Sequence, residues 1–162
     1  DYWVRPSAGV KNFAHMVLGG SGLTSVYAMA QYLVDEVLRD MGLALNVKKD
    51  FNPIRKDIPH INELSENDMA ELIKVDPRFG HIICRCETVS EGEIVEAIKR
   101  GARTVDGIKF RTRSGMGRCQ GGFCRPRVIK ILARELGTNI VDVTRRGSGS
   151  NELLYKAKEL LN

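Results

Sequence analysis

The sequence predicts a mainly α chain, with a small all-α domain in its second half preceded by a strand–helix piece of a larger fold. Three observations predict it. Capped helices with apolar periodicity follow one another between residues 81 and 150. All four cysteines, Cys84, Cys86, Cys119 and Cys124, fall in that stretch. A glycine-rich turn at residues 19–22 separates a strand-like run from a long helical pattern.

The elements follow in order. The chain opens with Asp1, and its first residues read as the tail of something larger. Residues 11–18 fit a short strand. Gly19-Gly20-Ser21-Gly22-Leu23-Thr24-Ser25 then leads into a helix to about Arg39, with Tyr27, Ala30, Leu33, Val34 and Val37 at helical spacing. Such a turn offers free N–H groups and partial positive charge, which suit a phosphate or the anionic edge of a reduced flavin. A core helix with a glycine-rich entry is the structural alternative.

Residues 42–80 read as an ordered connector, punctuated by Asn52-Pro53, Ile58-Pro59 and Asp76-Pro77. Within it, Ser65 caps a helix carrying Met69, Leu72 and Ile73. His81-Ile82-Ile83 is a short β-like run into the all-α domain. Ser90 and Glu93 form a capping box for a helix with Ile94, Val95 and Ile98 on one face, ended by Gly101. Thr104 caps a second helix with Val105, Ile108 and Phe110. A third runs from Pro126 to Leu136 with Val128, Ile129, Ile131 and Leu132 apolar, and Gly137 ends it. Thr138 is expected to cap a short fourth helix through Val143. Residues 151–162 read as an amphipathic helix with Leu153, Leu154, Ala157, Leu160 and Leu161, packed on the domain or a partner rather than on a membrane.

The cysteines carry the chemistry. They are spaced C-x-C, 32 residues, C-x4-C. Two tight pairs on separate loops make the four-thiolate site that a [2Fe–2S] cluster requires. A C-x-C pair does not easily close as a disulfide, and the cysteine density is below that of a disulfide scaffold. Structural zinc is the stronger competitor, although its knuckles are usually wider and no histidine lies between the pairs. Four glycines within residues 115–124 let the backbone approach a ligand and present N–H groups to it. From His81 to Gly147 there are twice as many Lys and Arg as Asp and Glu. Arg85, Lys109, Arg111, Arg113, Arg118, Arg125 and Arg127 crowd the cysteines and would offset an anionic cluster. A nucleic-acid surface is the rival reading of this charge, but only Phe110 and Phe123 supply aromatic interleaving.

Ile83-Cys84-Arg85-Cys86-Glu87 and Gly115-Met116-Gly117-Arg118-Cys119-Gln120-Gly121-Gly122-Phe123-Cys124 resemble the [2Fe–2S] domain of the bacterioferritin-associated ferredoxin type. Four residues between the last two cysteines match the form fused to flavin-dependent oxidoreductases, such as anaerobic glycerol-3-phosphate dehydrogenase large subunits. The free-standing form usually has two. The resemblance spans residues 81–150, including the Arg-Arg-Gly-Ser-Gly-Ser run that ends it. It implies that Cys84, Cys86, Cys119 and Cys124 are the metal ligands. Val10-Lys11-Asn12-Phe13 and the turn after it are similar to the end of the FAD domain in the D-amino-acid-oxidase-like superfamily. That resemblance implies that Gly20, Ser21, Gly22, Leu23 and Thr24 lie by the flavin of the intact protein. No catalytic residue is expected in this stretch, with Arg5, His15 and His60 given no catalytic role.

The resulting expectation is four segments: residues 1–41 ending an FAD domain, 42–80 the connector, 81–150 the cluster domain and 151–162 the terminal helix. The intact protein would be an FAD-dependent dehydrogenase, glycerol-3-phosphate dehydrogenase-like. It would pass electrons through the cluster to an acceptor protein or quinone-linked partner. It would bind no nucleic acid, reach a membrane only through a partner, and be cytoplasmic, peripheral to the inner face at most. A zinc- or cluster-stabilised interaction or regulatory domain without electron transfer is the alternative.

Overall fold

The computed structural model describes residues 2–161, and the chain forms two compact units, Asp1–Arg55 and Lys56–Asn162. The division falls inside the stretch expected as a connector. In the first unit β1 (Trp3–Pro6) and β2 (Ala14–Val17) pair as an antiparallel hairpin, with Trp3 opposite Val17 and Pro6 opposite Ala14. No strand was expected in residues 3–6. The second strand is shorter than the expected 11–18, because Asn12 adopts a left-handed turn conformation at φ 58°.

Helix α1 (Gly22–Tyr32) continues through a π turn, Leu33–Val37, into α2 (Leu38–Asp40), so the helical course reaches the length its periodicity predicts. The Leu38 N–H donates to the Leu33 carbonyl, five residues back, which accommodates one extra residue. The π turn lies against β1 and buries Val37. α1 itself buries nothing, and Tyr27 is 80% exposed. Of the apolar stripe, Val37 is buried and Tyr27 and Val34 are exposed.

The second unit begins with connector residues that join its interior: Ile58, Ile61 and Phe79 are buried. The Asp68 N–H donates to Ser65 Oγ at 3.2 Å and starts α3 (Glu66–Val75), as expected. β3 (Ile82–Cys84) and β4 (Val89–Ser90) form a second antiparallel pair. In α4 (Glu91–Lys99) the capping box is complete: the Glu93 N–H donates to Ser90 Oγ at 3.2 Å, and the Ser90 N–H donates to Glu93 Oε2 at 2.8 Å. Thr104 caps α5 (Val105–Thr112) through the Gly107 N–H, and α6 (Arg125–Leu136) ends before Gly137. Ile94, Ile98, Ile108, Val128, Ile131 and Leu132 meet in one apolar core between these three helices.

Phe110 lies in α5 as expected; it is two residues from buried Ile108, hence on the other side of the helix, and is 70% exposed. Two expectations fail here. The fourth helix is a single 3₁₀ turn, Ile140–Asp142, that follows Asn139 with no side-chain cap, so Thr138 does not cap it. Residues 151–156 are not helical. Asn151 bridges to Thr144 and donates its side-chain amide to the Val141 carbonyl, and the Glu152 N–H donates to the Val143 carbonyl. These bonds hold the segment extended, leaving a 3₁₀ turn at Ala157–Leu161. The Leu160 and Leu161 side chains of the expected face, and Asn162, lie outside the described residues. Among the described residues no helix is long and apolar enough to cross a membrane.

Candidate metal centre

The cysteines are delivered by two loops set on the three-helix core. β3 ends at Cys84, and the tight loop to β4 carries Cys86. The loop between α5 and α6 carries Cys119, and Cys124 is the N-cap of α6. Each loop contains strained backbone. Thr88 has φ 51° and Gln120 φ 49°, conformations that cost about 1–3 kcal/mol each and persist where surrounding contacts hold them. Gln120 is held by its own side-chain amide, which donates to the carbonyls of Met116 and Gly117.

The loops touch each other. A Cβ placed on Gly117 would lie 2.3 Å from the Cys86 Cβ, so only glycine fits there. Arg113 Nε donates to Glu87 Oε2 at 2.8 Å and ties the loops together at their rim. Cys86 Sγ lies 3.7 Å from Cys119 Sγ. All four cysteines line one cavity of about 320 Å³, together with Ile83, Arg85, Phe123 and Arg127. Among the described residues no three His, Cys, Asp or Glu side chains gather closely enough to hold a single metal ion.

The environment divides the thiols. Nearby backbone N–H groups, that of Phe123 first, and the Cys86 thiol hold the Cys119 pKa below its ordinary value. The N–H groups belong to the glycine loop expected to present such donors. Burial pushes the Cys124 thiol up, against the Ser114 hydroxyl that faces it. Ser114 Oγ is buried with no hydrogen-bond partner among the described residues. The N-terminus of α6 adds its positive end beside Cys124. Four thiols from two facing loops, N–H donors at sulfur and a common cavity fit an iron–sulfur cluster.

The basic residues do not act as one group. Arg113 pairs with Glu87, Arg145 and Arg146 with Asp106, and Arg134 with Glu91. Arg125 leans on Gly121, donates to the Gln120 carbonyl and lies 3.6 Å from Glu152. It braces the loop instead of standing free beside its ligand. Arg85, Arg118 and Arg127 have no ion pair among the described residues, and Arg85 and Arg127 line the cavity.

Residues 82–134 match the BFD-like [2Fe-2S] binding domain. The chain is 48% identical to a glycerol 3-phosphate dehydrogenase of Caloramator mitchellensis over 153 residues, 93% of this chain and 32% of that protein. It is 26% identical over 139 residues to the anaerobic glycerol-3-phosphate dehydrogenase subunit A1 of Haloferax volcanii, covering 74% of this chain and 23% of the relative. Over 69 residues it is 44% identical to the hydrogen cyanide synthase subunit HcnB of Pseudomonas aeruginosa, 40% of this chain and 14% of the subunit. The chain thus spans about a third or less of each of these relatives. No solved structure matches it.

The glycine-rich turn stands in the first unit. Gly20, Ser21, Gly22, Leu23 and Thr24 form one continuous entry into α1. The Leu23 and Thr24 N–H groups have no partner among the described residues, and Ser21 provides no side-chain cap. Ser21 Oγ instead bonds the Tyr2 hydroxyl, and Thr24 Oγ1 donates to the Ser21 carbonyl at 2.9 Å. Gly22 packs closely on Leu18, since a Cβ there would lie 3.1 Å from the Leu18 Cβ. Sequence reasoning missed Tyr2, which precedes β1 and meets Ser21, 19 residues along the chain. It also missed the local roles of three residues. Arg5 lies 4.1 Å over the Trp3 ring, His15 stacks on Trp3 and meets Phe13 edge to face, and His60 Nδ1 is 3.1 Å from the buried Glu93 carboxylate.

Proposed function

We propose that Cys84, Cys86, Cys119 and Cys124 ligate the [2Fe–2S] cluster of an FAD-dependent dehydrogenase acting on glycerol 3-phosphate. The cluster would relay electrons from reduced flavin to an acceptor protein or quinone-linked partner. The observation that carries this reading is the meeting of all four thiols in one cavity between two loops, inside the segment that matches the cluster domain. The similarity to glycerol 3-phosphate dehydrogenase over 93% of the chain supports the substrate assignment. When bound, the cluster supplies one-electron chemistry, which divides the two electrons of a flavin into single steps. The protein's part is to hold thiolates, present N–H donors to sulfur, and keep Arg85 and Arg127 beside the added charge.

Residues 1–41 belong in this reading to the end of the flavin domain, with Gly20, Ser21, Gly22, Leu23 and Thr24 at the flavin. The unpaired Leu23 and Thr24 N–H groups and the exposed apolar residues of α1 support it. Residues 81–150 are the electron-transfer module.

Anaerobic reconstitution is the test. The chain should take up about two irons and two sulfides, with visible absorption that dithionite bleaches; stoichiometric zinc and no iron would reject it. For the flavin turn, Leu23 is 91% exposed, so Leu23→Glu leaves packing alone and brings a negative charge to the helix entry. In the full-length protein it should lower the flavin potential and leave the cluster spectrum unchanged. An unchanged flavin potential would remove the flavin from this turn.

A further inference from the structure

Two thiolates on one tetrahedral metal with bonds of about 2.3 Å lie roughly 3.8 Å apart. Iron in an iron–sulfur cluster is tetrahedral in the same way. A [2Fe–2S] cluster has two such irons, so its four cysteines divide into two close pairs. Motif spacing suggests Cys84 with Cys86 and Cys119 with Cys124. The structure divides them differently. Cys86 Sγ and Cys119 Sγ, from separate loops, are 3.7 Å apart. Cys84 and Cys124, also from separate loops, are 1% and 2% exposed and belong to the same apolar core. Within each motif, one cysteine turns inward and the other outward.

We infer that the ligands are shared across the loops: Cys86 and Cys119 hold a solvent-side iron, Cys84 and Cys124 hold a core-side iron, and the accepted electron resides on the solvent-side iron. This rests on the four cysteines being the ligands. Reduction converts one ferric ion to ferrous and adds one negative charge, with no bond made or broken. That charge costs least where water and N–H donors reach it. Cys86 is exposed and Cys119 partly exposed, within the glycine-rich loop. Cys84 and Cys124 share the interior with Ile83, Val128 and Leu132. The arrangement also makes each iron a bond between the two loops, so neither loop can hold an iron alone.

Serine variants of each cysteine, reconstituted and titrated with dithionite as electron donor, test this. A serine oxygen is a harder ligand than thiolate and favours ferric iron. It lowers the potential most on the iron that is reduced. Cys86→Ser and Cys119→Ser should give similar, large decreases, and Cys84→Ser and Cys124→Ser similar, smaller ones. Grouping by motif, with Cys86 like Cys84 and Cys119 like Cys124, would overturn the pairing. A larger decrease in the Cys84 and Cys124 variants would overturn the localisation. Because a serine variant can fail to hold a cluster, reduced wild-type protein provides a second measurement. The temperature dependence of hyperfine-shifted cysteine β-proton resonances separates ferrous from ferric ligands. Ferrous-type resonances should show Overhauser contacts to Gly117, which packs on Cys86. Contacts from ferrous-type resonances to Ser114, which faces Cys124, would overturn the inference. Zinc uptake without iron would instead reject the cluster reading itself, so the two failures are distinguishable.

Discussion

The first unit is at least as rich in apolar residues as the second, yet the two bury them very differently. In Lys56–Asn162, α4, α5 and α6 enclose a continuous core in which Ile94, Ile108 and Leu132 are wholly buried. In Asp1–Arg55, Val37 is the one buried hydrophobic among the described residues, while Trp3, Phe13, Leu23, Tyr27 and Tyr32 are exposed. The lesson concerns layers. A hairpin and one helix offer apolar faces but too few elements to cover them, whereas three helices and a strand pair cover each other. Apolar content is thus a poor guide to autonomy. The second unit has its own core and, on the reading above, a metal centre as well.

The largest expected effect breaks the comparison directly. Residues 56–162, expressed alone and reconstituted, should unfold cooperatively on heating, and residues 1–55 alone should show no cooperative transition by circular dichroism. A cooperative transition in the short fragment would mean that its exposed apolar residues find partners within it.

The next variant acts on the loop contact that the second unit alone possesses. Gly117→Ala forces a methyl group against Cys86 and should cost about 1–3 kcal/mol. At roughly 4–8 °C per kcal/mol, the thermal midpoint of the iron-loaded protein should fall by several degrees, with reduced iron uptake. Normal iron uptake would show that the loops separate easily.

The smallest effect concerns the polar rim of the same core. Asp106 lies under Arg146 at 2.7 Å and Arg145 at 3.7 Å. Burial alone would raise its pKa, but the Arg146 hydrogen bond and the surrounding cations hold the carboxyl below its ordinary value. A depressed folded pKa stabilises the native state above the ordinary carboxylate pKa, about 4. That contribution is lost as the pH falls through the lower folded value. Asp106→Asn should therefore cost about 1 kcal/mol or less at neutral pH, since both arginines are solvent-exposed. The difference from the parent should vanish in acid, as followed by urea unfolding across pH. A constant difference would mean that the asparagine disturbs packing rather than charge.

Local signals were legible where a few neighbouring residues decide the outcome. Ser90 with Glu93, Thr104, and Ser65 with Asp68 each mark a helix start that the structure keeps, because a cap is made within four residues. The same reasoning failed at Thr138, where Asn139 begins the turn without a side-chain cap. It failed again at residues 151–156, where bonds to Val141, Val143 and Thr144 outweigh an amphipathic pattern. β1 was missed because its partner strand lies beyond an intervening turn.

The sequence by itself determined that four thiols sit as two close pairs around a glycine-rich loop, and that capped helices flank them. It determined the basic excess as well, but not how that charge is spent. Only the tertiary structure decided that Arg125 braces a loop beside Glu152 while Arg85 and Arg127 line the cysteine cavity. Only the tertiary structure set Cys86 against Cys119, turned Cys84 and Cys124 into the core, and made Gly117 indispensable to the close approach of the loops. The reason is physical: caps and spacings are written along the chain, whereas burial and sulfur–sulfur proximity depend on how segments distant in sequence pack.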